Sequence, residues 1–332
     1  MTHDLIVLFE HPEWQKPLFS ALESRGIRFG TFDLKQACFD PDAAPEAPLY
    51  FNQASPSAYV RGNARAVPLA LSLMRSLELG GARVLNGSRA FALELSKSAQ
   101  AALMRQLGVP HPRTLAFNDA DTALAVWGDC WPALLKPEQG GSGARMYLLQ
   151  SADELVRVLR DRPDLWLPDN LLTLQEYFAI DSSQGIVRME FLAGELLYAM
   201  RVVSHGAFNL CPSETCNPEG GASQCELPET IPGAPVEFHP YHAVPADVVE
   251  IGKRLMTAGG LDVGGIEYLE APNGRNVFYD INANSNLRAP IGRAFGFDPF
   301  ERVVDFLAAQ IAIYRRPGEP ACSGQDPSGY IE

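Results

Sequence analysis

A lysine followed by a glycine-rich turn is the first pattern here that suggests chemistry: Leu135-Lys136-Pro137-Glu138-Gln139-Gly140-Gly141-Ser142-Gly143. Gly140, Gly141, Ser142 and Gly143 let backbone N–H groups close on phosphate oxygens, and Lys136 adds a point charge. It is not a Walker A loop, because no Gly-Lys-Ser/Thr opens a helix. An exposed lysine before a mobile surface turn is the other reading of these residues. A second pattern lies near the C-terminus, with Glu267 in Gly265–Leu269 and Asp280 and Asn282 alternating in Phe278–Asn282. Residues two apart on a strand face one side, and an Asn273-Gly274 turn brings Glu267 opposite them. Two carboxylates and an amide oxygen are hard ligands that suit Mg²⁺, or Mn²⁺, with phosphate completing the shell. The alternative is the polar face of an exposed hairpin. The intervening apolar residues favour a half-buried sheet, where clustered carboxylates without a cation are costly. The third pattern is Leu174-Gln175-Glu176-Tyr177-Phe178 with Asp181 just beyond. Such a strand end can offer backbone groups to an adenine edge and a carboxylate to a ribose. From these residues alone a plain buried strand end is the stronger reading.

The elements that must position these groups follow from hydrophobic spacing. Residues 1–85 alternate strands and helices: Leu5–Phe9, a helix over Trp14–Arg25 stopped by Gly26, Arg28–Leu34, Leu49–Gln53, a helix over Ala64–Leu79, and Arg83–Leu85. This predicts a small open α/β unit. The first strand is followed by Glu10-His11-Pro12 and no G-x-G-x-x-G, which disfavours a dinucleotide fold. Beyond it the spacing predicts one long helix over Ser88–Leu107. Strands are expected near Thr114–Phe117, Ala133–Lys136, Arg145–Leu149 and Leu172–Tyr177, with a helix at Ala152–Asp161. Residues 186–203 read as two antiparallel strands, and 204–245 as a long loop with little periodicity. A helix at Ala246–Ala258, the strand pair carrying the carboxylates and a last helix at Pro299–Tyr314 close the chain, before a tail at 316–332 rich in Pro, Gly and Ser.

The chain has 332 residues, 46% apolar and 20% charged, enough to bury a large core. No apolar run approaches the roughly 18 residues a membrane helix needs. Its start lacks the basic flank of a secretory signal. The net charge of −13 repels nucleic acid and anionic membranes, so neither is expected as a partner. The six scattered cysteines are expected to be reduced, in a cytoplasmic compartment.

The three patterns in this order, with an earlier lysine in Leu95-Ser96-Lys97, resemble the ATP-grasp superfamily, and more narrowly the RimK-like carboxylate–amine ligases, which include ribosomal-protein glutamate ligases and prokaryotic glutathione synthetases. The resemblance covers roughly residues 84–312 and includes Asn86-Gly87, Gly108–Thr114, Gly260–Glu267 and Asp280-Ile281-Asn282-Ala283-Asn284. It implies an N-terminal open α/β domain (1–85) followed by an ATP-grasp domain (86–315) of mixed α/β and α+β character. That domain would have a mobile lid at about 113–178 and a metal-binding half at about 179–315. It also implies roles. Lys97 and Lys136 would hold ATP, and Gly140–Gly143 would close over its phosphates. Glu176 and Phe178 would meet the adenine and Asp181 the ribose. Glu267, Asp280 and Asn282 would carry Mg²⁺, and Arg188 and Arg201 would face the transferred phosphate or a substrate carboxylate. The implied reaction is ATP-dependent amide formation through an acyl phosphate, on an amino acid or short peptide and an amine, with ADP and phosphate released.

Two departures bear on the substrates. Ile186-Val187-Arg188 stands where the subgroup commonly has Asp-x-Arg, and Asn282-Ala283-Asn284-Ser285-Asn286 where it often has Asn-x-Ser-Pro-Gly. Asn284, Asn286, Arg288 and Arg293 are therefore candidate substrate contacts, the two arginines as carboxylate binders or as solvated helix-start charges. Cys211, Cys216 and Cys225 lie in the long loop, where their spacing matches no common zinc finger. A small-molecule kinase and a non-catalytic ATP-binding protein are the alternative functions of such a site. A homo-oligomer is compatible with the resemblance.

Overall fold

The computed structural model describes residues 3–141, 143–179, 181, 183–204, 236–285 and 287–314. The N-terminal unit holds β1 (Leu5–Phe9), α1 (Pro12–Ser24), β2 (Phe29–Asp33), β3 (Leu49–Gln53), α2 (Ala66–Leu79) and β4 (Arg83–Leu85). Its strands are parallel in the order β2-β1-β3-β4. Every residue of β1 is buried, as its unbroken apolar run requires of a strand covered on both faces. A single 3₁₀ segment, Pro56–Arg61, follows β3.

The predicted helix over Ser88–Leu107 is two helices, α3 (Ser88–Glu94) and α4 (Lys97–Gln106). Ser96 leaves the helical region at φ −127° and its Oγ accepts the Ala99 N–H at 3.1 Å, an N-cap that restarts the helix. The Gln100 amide donates to the carbonyls of Leu93 and Glu94, both at 3.2 Å, satisfying acceptors near the break. The restart puts Lys97 at the first position of α4.

A second unit contains β5 (Thr114–Phe117), α5 (Ala120–Trp127), β6 (Ala133–Pro137), β7 (Tyr147–Leu149), α6 (Ala152–Asp161) and β8 (Leu172–Glu176). Its sheet is antiparallel, ordered β5-β8-β6-β7, over a core that includes Trp127, Leu135, Leu155 and Leu174. The third unit holds β9 (Ile186–Leu192), β10 (Glu195–Val203), β11 (Glu237–Pro240), α7 (Ala246–Gly259), β12 (Val263–Glu270), β13 (Asn276–Asn282), α8 (Ala289–Ala294) and α9 (Pro299–Tyr314), with an antiparallel sheet β11-β10-β9-β12-β13. Elements α5, α8 and β11 were not expected from the sequence. Strand β11 lies in the stretch read as a loop, whose residues 205–235 fall outside the described residues. It is short and, among the described residues, pairs with β10 alone, so tertiary pairing decides it and periodicity does not show it. Helix α9 packs on α1 and β3, so the first and third units share a core through Val303, Val304 and Leu307. No helix among the described residues is long and apolar enough to cross a membrane.

Candidate active site

The edges of the three sheets enclose a cavity of about 890 Å³, lined by Ser57 of the first unit, Lys136 and the glycine turn of the second, and Glu267 and Asp280 of the third. Strands β12 and β13 bring the predicted carboxylates together, with Glu267 directly opposite Asp280 and Gly265 opposite Asn282. A β-bulge between Glu267 and Tyr268 adds Tyr279 to the same side, where its hydroxyl donates to Glu267 Oε2 at 2.6 Å. Burial raises the Glu267 carboxyl above its ordinary range, and the neighbouring Asp280 charge adds to this, although Arg188 pulls the other way. Burial alone would raise Asp280 too, but the Lys97 ammonium bonded to it and the charges of Lys136 and Arg188 together outweigh burial and hold it below the usual range. Among the described residues no three His, Cys, Asp or Glu side chains stand together as a metal site, and the Asn282 amide donates to Asp280 Oδ2 at 3.4 Å. Two carboxylates that raise each other's cost of ionising, with a hard amide oxygen two residues along, fit a divalent cation of the Mg²⁺ type.

The two lysines converge from different units. Lys97 reaches Asp280 from the start of α4, and Lys136 Nζ donates to Gln175 Oε1 at 2.7 Å from β6. Burial, together with repulsion from Lys97, lowers Lys136 to about 8. Glu138 ties the two lysine segments together. Its carboxylate accepts the Ser96 hydroxyl at 2.6 Å and the Ser98 N–H at 3.1 Å, while its carbonyl accepts the Lys97 N–H at 3.4 Å. The glycine turn then reaches the first unit. A Cβ on Gly141 would lie 2.8 Å from Ser57 Cβ, a separation that only glycine permits here. Gly140, Gly141 and Gly143 all line the cavity; Ser142 lies outside the described residues.

Arg188 is the central cation of the third unit. It is buried, and its guanidinium donates to Glu190 at 2.5 Å and to Glu267 at 2.7 Å. Burial opposes its charge, yet the two carboxylates more than compensate and raise its pKa. Arg201 is a correction to the expectation that both arginines face the transferred phosphate or a substrate carboxylate. Strands β9 and β10 start in the register Leu192↔Glu195, and a bulge between Leu196 and Tyr198 then shifts it by one, so Arg188 faces Met200 and Arg201 faces Val187. Adjacent positions on a strand point to opposite faces, so Arg201 leaves the cavity side. It bonds Glu270 at 2.7 Å and lies over the Tyr241 ring at 4.3 Å.

The remaining candidates divide. Glu176 and Phe178 line the cavity at the end of β8, and Glu176 Oε2 accepts the Arg113 N–H at 3.1 Å. Asp181 is exposed and does not line it; its carboxylate accepts Ser183 Oγ at 2.6 Å and Ser183 N–H at 2.9 Å, which lowers its pKa. Asn284 lines the cavity but spends its amide on the carbonyls of Gln53 and Ala54, at 3.2 and 3.1 Å, bridging the third unit to the first. Arg288 lines the cavity with its guanidinium 3.2 Å from the Phe238 ring centre. Arg293 is exposed in the last turn of α8, not at a helix start, and does not line the cavity. Asn286, Cys211, Cys216 and Cys225 lie outside the described residues.

Sequence reasoning missed several residues. Glu94 is 3% exposed at the end of α3, beside the Lys97–Asp280 pair, and burial pushes its carboxyl up to about 8. Glu190 is wholly buried and accepts the Ser285 hydroxyl at 2.5 Å as well as Arg188. Its alternation with Arg188 on β9 was a signal for a shared face. Nothing in the sequence signalled Glu94, because its burial follows from how α3 packs against α4, α7 and β13.

No protein-family model matches the chain. It is 22% identical over 247 residues, 74% of its length and 74% of the relative's, to a probable alpha-L-glutamate ligase of Haemophilus influenzae strain PittEE. Among solved structures it is similar to the ATP-grasp ligase PsnB complexed with a minimal precursor, at TM-score 0.63 and 18% identity, covering 93% of this chain and 100% of that one. It is also similar to the D-cycloserine synthetase DcsG, at TM-score 0.65 and 15% identity, covering 92% and 99%. At these identities the likeness establishes the fold, and the fold is that of the ATP-grasp ligases.

Proposed function

We propose that this chain is an ATP-dependent carboxylate–amine ligase that forms an amide through an acyl phosphate, on an amino acid or short peptide, with release of ADP and phosphate. The observation that carries this is the convergence of Lys97, Lys136, Glu267, Asp280 and Arg188 on one cavity walled by a glycine turn. Names of relatives and neighbours, a glutamate ligase and an ATP-grasp ligase complexed with a precursor, point the same way. In this reading Lys97 and Lys136 neutralise nucleotide phosphates, while Glu176 and Phe178 meet the base. Glu267, Asp280 and Asn282 would hold Mg²⁺, which supplies charge stabilisation to the phosphates. The substrate carboxylate takes the terminal phosphoryl group as the bond to ADP breaks. The amine nitrogen then bonds to the carbonyl carbon as phosphate leaves, and of the two ammonium protons lost, one goes to phosphate and one to solvent. Arg188 offsets the charge that develops on the carbonyl oxygen, and positioning does the rest.

The test is ADP and phosphate release with Mg²⁺ and pairs of amino acids, with mass spectrometry of the products. Release that requires both a carboxylate and an amine, with a mass equal to their condensation, is the expected result. ADP formed with a single hydroxyl compound and a stable phosphorylated product would make the protein a kinase instead.

A further inference from the structure

Among the described residues, six buried side-chain polar atoms have no partner, and two of them belong to oppositely charged groups on the wall of the same cavity: Glu94 Oε2 and Arg288 Nε. Buried polar groups are normally hydrogen-bonded, so an unpartnered carboxyl oxygen and an unpartnered guanidinium nitrogen on one cavity leave an acceptor and a donor to be met by a ligand. Both lie within the electrostatic reach of Arg188, the cation at the reacting centre. Arg288 is held from behind by the Phe238 ring and from its own backbone N–H, which donates to the Tyr198 hydroxyl at 2.9 Å. Burial lowers it to about 10, as it raises Glu94 to about 8, and the opposite charges nearby offset this only in part. The cavity also has an apolar wall. Leu18, Phe51, Val263, Leu287, Phe300 and Val303 line it and pack together as one cluster, drawn from α1, β3, β12, α9 and the segment before α8.

We infer that the amine substrate is an α-amino acid with an apolar side chain, its ammonium received by Glu94, its carboxylate by Arg288 and its side chain by the wall around Phe51 and Phe300. This rests on the ligase reading and narrows it to one class of acceptor. The class differs from glutamate, which would bring a second carboxylate against apolar groups.

The test compares leucine, leucinamide, isopentylamine and glutamate as acceptors, with the donor carboxylate found by the product screen. Leucine is expected to be used at least tenfold better, in kcat/KM, than each of the other three. Glu94→Gln and Arg288→Met should each raise the leucine KM at least tenfold and leave the KM for ATP unchanged. Arg288→Met should also erase the preference of leucine over leucinamide, a change a merely structural defect would not produce. If Glu94→Gln does not fold, the Arg288→Met comparison decides alone. The inference is overturned if glutamate or leucinamide serves as well as leucine, or if Glu94→Gln shifts the Mg²⁺ dependence instead of the leucine KM. Absence of condensation with every donor and acceptor pair would overturn the ligase reading itself, a result distinct from condensation with the wrong acceptor.

Discussion

Glu94 and Lys136 are pushed in opposite senses by the same burial, and each has a measurable consequence. The Glu94 carboxyl rises from an ordinary value of 4.5 to about 8 because it is desolvated, with Lys97 and Arg188 opposing and Asp280 adding to the shift. Between those values the folded chain holds a proton that the unfolded chain has lost, so stability present at low pH is lost as the pH rises towards 8. Glu94→Gln removes the titration. Its Tm should match wild type near pH 5 and exceed it by several degrees at pH 8, measured by calorimetric scans across that range. Lys136 falls from 10.5 to about 8, so its charge fades as the pH passes 8. Nucleotide affinity measured by titration calorimetry should weaken above that pH. Lys136→Met should weaken it roughly ten- to a hundredfold at pH 7, the 1.5–3 kcal/mol of a hydrogen bond to a charged group, and flatten the pH dependence.

Short elements, more than long ones, aim the side chains. The restart of the helix at Ser96 sets the direction of Lys97, and Ser96 both caps α4 and donates to Glu138. Ser96→Ala should cost about 1–2 kcal/mol in denaturant unfolding and also weaken nucleotide binding, because the cap and the tie to the glycine turn are lost together. Asn86 shows the same economy between β4 and α3. At φ +47°, a conformation that asparagine tolerates, it donates to the Val263 carbonyl at 2.5 Å and accepts the Asp262 N–H at 2.8 Å, locking β12 beside the first unit. On β9 and β10 one bulge turns Arg201 away from Arg188. Without that extra residue the hairpin register would have set both arginines on one face.

The three units meet around one cavity, so a ligand that spans them should hold the whole molecule together. Addition of a nucleotide with Mg²⁺ at a hundred times its Kd should stabilise the fold by about 2.7 kcal/mol, read as a rise in Tm, and chelation of the metal should reverse most of it. Much of this architecture was legible beforehand. The bounds of β1, β3, β4, β5, α6 and α9 follow from apolar runs and their punctuation, because hydrophobic period and turn chemistry are local properties. Lys136 and its glycines are legible in the same way, whereas Glu267 stands opposite Asp280 only because a bulge after Glu267 shifts by one the register that the turn sets. The sequence by itself determined the elements and the chemical types offered at their ends. The tertiary structure alone decided which of those groups meet: that Arg201 turns to Glu270, that Glu94 is buried beside Lys97, and that one polar atom each of Glu94 and Arg288 is left without a hydrogen-bond partner on the same cavity. Those outcomes depend on a bulge, a helix break and the packing of distant segments. Each moves a side chain from one face to another without altering the hydrophobic pattern that local reading can detect.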